Sequence, residues 1–470
     1  MSGLFASLNS SAQALTAQSR ALEIAGKNLA NVNNASYARQ RVIFGDFGTV
    51  QTSTGPESMG FQAVSVQQLR DSLLDQQVMR ETAFSSYYQT LQSTYQRAQA
   101  GLGQNVGSAN AATGAASTSD TGIGASLDDL FNAFQSFAAS PTDSGQRQVL
   151  LQKGAILTDR LQLADQRLAQ VQTDLNTQIG SEVTGVNRLL QNVADLNGQI
   201  GRLEINHPGS AVDLRDQRQA ILEQLSAKLP ISAKEDASGQ VQVTSLDGSG
   251  NPVVLVNLAS VTGPVTFNGT QLSGGSPATV LAPNAGSIQG ALAARDGGVQ
   301  ALRDHLDQLA RQLVTSVNAA YNPTGTTGDF FTASGTTAGT IQIDPTVTAA
   351  NLKASDGGPA GDNTVALAIA QLAGQKFSTA GGDVIDGTFS SFYANGISGF
   401  GQALSSANSQ LSNQSSIEQL VRSQRDGVSG VSLDEEMADL QKFQRAFQAS
   451  SRVFTVIDTL LDNVVNQLGR

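Results

Sequence analysis

The last stretch of the chain, Ser432 to Arg470, constrains the fold most. Leu440, Phe447, Phe454, Leu461 and Leu468 recur on every seventh residue. Phe443, Ile457 and Val464 occupy the interleaved track, with Ser450 as its polar break. This is the a/d pattern of a coiled coil held for about four heptads, and it predicts one helix running to the end of the sequence. Ser432 stands three residues before Glu435, the spacing of a capping box. Asp434, Glu435 and Glu436 fill the first turn, where the helix dipole favours negative charge. An apolar seam of this length requires a partner helix.

The other end of the chain supplies a candidate. Leu8, Leu15, Leu22 and Leu29 also recur on every seventh residue, with Phe5, Ala12, Ser19 and Gly26 on the second track. Large residues on one seam facing mostly small ones on the other allow close approach. The two terminal segments are therefore expected to pair, with everything between them an excursion.

Periodicity orders that excursion. Residues 2–32 read as helix, closed by the Asn-rich run Asn28 to Asn34. Residues 36–68 read as extended, 69–100 as helix and 101–125 as a Gly/Ala/Ser/Thr loop. Leucines from Leu161 to Leu203 share a seven-residue track, which predicts a helix from Gly145 to Leu203, on the order of 85–90 Å long. His207-Pro208-Gly209 ends it, and residues 213–227 form a further short helix. After Pro230 the period changes to two, with turns at Asp247–Asn251 and Asn268-Gly269. Helices return at 287–321, 364–372 and 396–426, with a strand expected at 340–343, and Gly427 and Gly430 precede the last helix.

The expected fold is mainly α with inserted β domains. Terminal N and C helices pair as a coiled coil, a long helical rod follows, and a small β domain sits in the middle. The domain boundaries are 1–70 with 432–470 for terminal assembly, 71–227 with 286–431 for the rod, including a mixed, loop-rich segment at 322–395, and 228–285 for an outward β domain.

Composition limits the chemistry. Charged residues make up 14% of the chain, aromatics 5%, and Trp and Cys are absent. The missing Cys excludes disulfides and thiol chemistry. The net charge of −11 and the lack of a basic run argue against nucleic acid and anionic membranes as partners. Neither a cleavable signal nor a membrane-spanning run is expected. His207 and His305 have no second ligand at metal spacing and are expected to be structural or solvated. Asp247 to Asn251 resembles a calcium loop but has Leu258 where the bidentate Glu belongs, so a turn is expected. Glu435 and Glu436 are accounted for by capping and the dipole. No catalytic residue, cofactor or metal is expected.

Asn28-Leu-Ala-Asn31 followed by Tyr37-Ala-Arg39-Gln40 resembles the N-terminal signature of the bacterial flagellar rod, hook and hook-associated family, with Ser36 where that family usually has Gly. Ser429 to Glu436, Leu440 to Ala449 and Arg452 to Leu461 are similar to the C-terminal run of its hook–filament junction members. Gly361 to Asn363, Ala366 to Ala368 and Thr388 to Tyr393 are similar to further stretches of them.

The resemblance implies paired terminal helices in the inner tube of the flagellum, middle domains facing outward, and type III export without a cleaved signal. It implies an extracellular, flagellar location after a cytoplasmic stage. The implied partners are copies of the chain, hook protein, the next junction protein and an export chaperone on the C-terminal helix. The assembly interface would comprise Leu8, Leu15, Leu22, Asn28, Leu29, Asn31 and Tyr37 with Leu440, Phe443, Phe447, Phe454, Ile457, Leu461, Val464 and Leu468. Two alternatives stand beside this one: another axial protein such as hook or distal rod, and a secreted enzyme or adhesin whose residues 206–395 work on an axial scaffold.

Overall fold

A computed structural model describes residues 2–46, 48–52, 55–58, 60–102, 122–325, 328–359 and 361–467. Ten α-helices and eleven β-strands are present among them. The chain divides into two compact units: residues 1–86, 182–286 and 414–470 form the first, and residues 87–181 and 287–413 the second.

The first unit opens with α1 (Ser2–Ala30) and the strands β1 (Gln40–Asp46), β2 (Thr49–Thr52), β3 (Gly55–Ser58) and β4 (Phe61–Gln68). β1 and β4 pair antiparallel, with the register shifting between Ile43 and Phe44, and β2 pairs with β3 beyond them. Among the described residues, the expected extended stretch is therefore two antiparallel strand pairs. Its apolar side carries Phe44, which meets Phe61 edge-on at 5.7 Å. The start of α2 (Ser72–Gly101), the end of α4 (Ser144–Glu204), α5 (Val212–Lys228), the end of α9 (Phe389–Ser429) and α10 (Leu433–Gln467) complete the helices of this unit.

Between α5 and α6 (Gly286–Ala293) the change of period to two produces strands. β5 (Ser232–Glu235), β6 (Val241–Leu246), β7 (Pro252–Asn257) and β8 (Ser260–Val261) form a four-stranded sheet in sequence order. β9 (Thr266–Phe267), β10 (Leu272–Gly274) and β11 (Thr279–Leu281) form a second sheet in the order β11-β10-β9. The alternation along β6 buries Val241, Val243 and Ser245 and leaves the residues between them less covered. The two ends of this β region meet. A Cβ on Gly286 would fall 2.5 Å from the Lys228 carbonyl oxygen, and Gly286 has φ +86°, so only glycine permits this approach.

Asparagines of α4 anchor the β region. Asn187 exchanges hydrogen bonds with both backbone groups of Val265, at 2.7 and 2.8 Å. Asn197 is fully buried; its Nδ2 donates to the carbonyls of Val241 and Leu258, and its Oδ1 accepts from Val241 N–H and from Arg218. Arg218 also donates to the Gly239 carbonyl and to Glu235, and its burial holds the guanidinium down at a pKa of about 10. Buried polar groups paired in this way fix register, because any slip would strand them.

The second unit holds the rest of α2 and α4 with α3 (Ile123–Ala139), most of α6, α7 (Gln300–Tyr321), α8 (Thr364–Gln371) and most of α9. Its core is apolar and aromatic. Phe131 stacks on Phe389 at 5.5 Å, and Phe134 lies 5.2 Å from Phe330. Helix α4 contributes Leu150, Leu157, Leu161 and Leu168, all fully buried, the last two from the seven-residue track. α6 and α7 are joined by a π-helical turn, Ala294–Val299, so the single helix expected at 287–321 carries a wide turn near its start. The strand expected at 340–343 is only an isolated bridge between Phe331 and Ile343: the segment runs through successive turns capped by side chains, and among the described residues no neighbouring strand extends the ladder. α9 runs through Gly427 to Ser429, later than the sequence suggested. His305 stacks on Phe392 at 3.8 Å and meets its carbonyl through Nε2 at 2.9 Å, with burial pushing its pKa down.

Leu258 is the one non-glycine residue with positive φ among the described residues, at 54°. It occupies the first central position of the two-residue turn between β7 and β8, a place hairpins reserve for glycine. The Asn197 bond to its carbonyl, at 2.7 Å, helps hold it there. Leu258→Gly is expected to stabilise the β region by about 0.5–1 kcal/mol through relief of left-handed strain. The check is slower hydrogen exchange of the β6 and β7 amides; unchanged or faster exchange would contradict it.

Candidate assembly interface

α1 and α10 pack along each other, with β1 and β4 against α1. On α10 the expected seam faces inward for most of its length. Leu440, Phe443, Phe454 and Ile457 are half-buried and Leu461 is buried, while Phe447 is 37% exposed. Phe443 lies 6.4 Å from Phe44 of β1. Val464 stands within α10, but its side chain and all of Leu468 are outside the described residues.

On α1 the buried stripe runs through Ala17, Ala21, Ile24, Ala25 and Asn28. Leu8, Leu15, Leu22 and Leu29 are only half-buried. The small side chains therefore take the closest contacts, and the leucines flank them with apolar surface still open.

A second apolar stripe on α10 faces solvent. Val453, Val456 and Leu460 are 52%, 59% and 48% exposed. Their spacing of three and four residues places them on one helix face, next to the buried seam. One long helix thus carries an occupied apolar face and an open one.

Below the helix pair lies a polar junction built on the N-terminal signature. Asn28 is buried, and its amide makes four hydrogen bonds, the full complement of its two donors and two lone pairs. Nδ2 donates to the Gln40 carbonyl at 2.8 Å and to Glu436 at 3.0 Å. Oδ1 accepts from Tyr37 Oη at 2.8 Å and from Gln40 N–H at 3.0 Å. Asn31 donates to the Lys27 carbonyl at 2.9 Å and so caps the end of α1. Arg39 donates through Nε to Glu436 at 2.6 Å and through Nη1 to Glu435 at 2.5 Å, and its N–H donates to the Ser429 carbonyl at 2.8 Å. Glu435 and Glu436 therefore do more than the capping and dipole roles that account for them in the sequence.

Two further arginines hold the turn before Tyr37. Arg70 donates to Asp75 at 2.9 Å, to Asp216 at 2.6 Å and to the Ser36 carbonyl at 3.2 Å. Arg425 donates to Glu223 at 2.6 Å and to the Ala35 carbonyl at 3.0 Å. Asp216 also accepts from Ala38 N–H at 3.2 Å. Lys27 pairs with Asp213 at 2.6 Å, and Gln40 donates to the same carboxylate at 3.1 Å.

Burial dominates the electrostatics here. It pushes the Asp216 carboxyl up to about 6, against the pull of Arg70. It raises Asp75 as well, again against Arg70. The Tyr37 hydroxyl is pushed up by burial and then by the charges of Asp216, Asp213 and Glu436, so it stays a neutral donor.

Sequence reading singled out Asn28, Asn31 and Tyr37, and the structure brings Asn28 and Tyr37 into contact. It missed Arg39, Arg70, Asp216, Arg425 and Glu436 as members of the same junction. Their one signal is scarcity: in a chain with 14% charged residues, each charged side chain near an apolar turn is a candidate for pairing.

Asp216 binds its proton more tightly folded than unfolded. Its contribution to stability is therefore fully present below about 3.8 and is lost as pH rises through about 6. Asp216→Asn keeps an oxygen acceptor for Ala38 N–H and Arg70. It is expected to remove a pH-dependent change of roughly 2–3 kcal/mol across this window. Urea unfolding of both proteins at a series of pH values measures it; parallel profiles would refute it.

Comparison with known proteins places this architecture. The model of the flagellar hook-associated protein FlgK helical domain matches residues 113–331, and that of the flagellar basal body rod FlgEFG protein C-terminal segment matches residues 423–468. Flagellar hook-associated protein 1 of Bacillus subtilis is 27% identical over 525 aligned positions, which cover 100% of this chain and 99% of that protein. Its Escherichia coli counterpart is 22% identical, covering 98% of this chain and 99% of its own length. The solved flagellar hook junction protein FlgK from Burkholderia pseudomallei aligns over 55% of this chain and 46% of its own, at 20% identity and a TM-score of 0.46. The chain is therefore similar to flagellar hook-associated protein 1 along its whole length, and matches the hook-associated helical domain and the rod-type C-terminal segment at the residues given.

Proposed function

We propose that the chain is a structural subunit of the hook–filament junction that binds its neighbours through the apolar faces its terminal helices leave open. The observation that carries this reading is the second stripe of α10. Val453, Val456 and Leu460 stay exposed although the adjacent seam is already covered. Three large aliphatic side chains on one face, each already about half covered, would each gain about 0.8–1.5 kcal/mol on completing their burial against a neighbour. The half-buried leucines of α1 extend the same interface.

The neighbours are copies of this chain, hook protein on one side and the next junction protein on the other. Before assembly the C-terminal helix is the ligand of an export chaperone, and the chain leaves the cell unfolded through the flagellar export apparatus. These finer roles rest on the family resemblance. In the same reading, residues 1–70 with 432–470 assemble, residues 71–227 with 286–431 form the rod, and the β region at 228–285 faces outward. The work is mechanical connection, without cofactor or catalysis.

The Val456→Asp, Leu460→Asp double variant separates assembly from folding. Its circular dichroism and unfolding midpoint are expected to match the parent, because both side chains face solvent. In a strain lacking its own copy it is expected to abolish filament attachment and motility. Normal filaments from a stably expressed variant would overturn the proposal.

A further inference from the structure

Under the turn that carries the signature lies a small cavity of about 10 Å³, lined by Tyr37, Arg70, Asp75, Arg425 and Ser429 among others. That is close to the smallest space that holds one water molecule. Its walls are unusually polar for its size. Asp75, Arg425 and Ser429 are each more than nine-tenths buried. Among the described residues, Asp75 Oδ1, Arg70 Nε and Ser429 Oγ have no hydrogen-bond partner. Arg425 Nη1 stands 3.9 Å from Asp75 Oδ1, too far for a direct hydrogen bond and a suitable separation for one bridging oxygen.

We infer that this cavity is a binding site for a single ordered water that joins α2, α9 and the N-terminal turn. The donor and acceptor count closes on one molecule. Its two lone pairs would accept from the guanidinium N–H groups of Arg70 and Arg425. Its two protons go to Asp75 Oδ1 and Ser429 Oγ. That gives four bonds, the upper end of what buried waters make. A cation would face two guanidinium groups at close range. An anion would face Asp75, with Glu223 on the far side of Arg425. A neutral molecule with two donors and two acceptors fits both constraints, and the volume admits nothing larger than water.

The bridge would give these buried groups the hydrogen-bond partners they otherwise lack. It would also tie the ends of two helices to the turn at Ala35 and Ser36, whose carbonyls are already held by Arg425 and Arg70.

A crystal structure of the full chain near pH 7, at a resolution that shows ordered solvent, tests this directly. The expected result is one peak within about 2.6–3.2 Å of Asp75 Oδ1 and at least two of the other three groups. In Ser429→Val, whose methyls replace the hydroxyl, the peak is expected to vanish. Three results in the parent protein would overturn the inference, whatever the variant does. One is no peak. Another is Asp75 rotated to bond Arg425 directly. The last is a peak whose scattering or anomalous signal marks an ion.

Discussion

Burying the Glu436 carboxylate is the constraint on which the first unit turns. At 3% exposure this side chain cannot be solvated, and an unpaired charge there would be strongly unfavourable. Its two oxygens are answered by Arg39 and Asn28, which lie 397 and 408 residues away in the chain. Neither the start of α10 nor the signature turn can reach its folded state alone. Each holds polar groups that only the other can satisfy. Asn28 extends the dependence inward, because its amide is also the junction for Tyr37 and Gln40.

The two units are stabilised by different means. In the second, the largest buried side chains are phenylalanines, leucines and a tyrosine, and such packing tolerates volume-conserving substitution at modest cost. In the first, Asn28, Asn197, Arg218 and Asp216 are buried and paired, and a shift of one residue would leave several of them without partners. A network of that kind adds less stability than an apolar core of the same volume but fixes geometry more narrowly. Narrow geometry suits the place where α1, α10 and the signature turn meet.

The parts legible in the sequence were those with a period. The seams of α10 and α4, the alternation of β6 and the pairing of the terminal segments came from spacing, and the Asn268-Gly269 turn came from its two residue types. The polar junction was not legible, because Arg39, Asp216 and Glu436 have no periodic relation and meet only in three dimensions. The acidic run at 434–436 already had a local explanation as a helix start, which concealed its second use. On α1 the regular leucines drew attention, whereas burial follows Ala17, Ala21 and Ala25, since a close approach of backbones rewards small side chains. The isolated bridge at Ile343 shows the limit of local pattern: a β-type run becomes a strand only where a partner extends it.

The close approach of Gly286 to the Lys228 carbonyl has a consequence for how such a chain can change. The polypeptide leaves the helical framework and returns to it at almost the same point, so the 57 positions in between act as a closed loop grafted onto a fixed base. Lengthening or shortening its turns, away from the strand positions that Asn187, Asn197 and Arg218 hold, need not alter the phase of the helices on either side. Outside the positions that Asn187, Asn197 and Arg218 hold, the surface of that loop can therefore vary without resetting the helices that carry it.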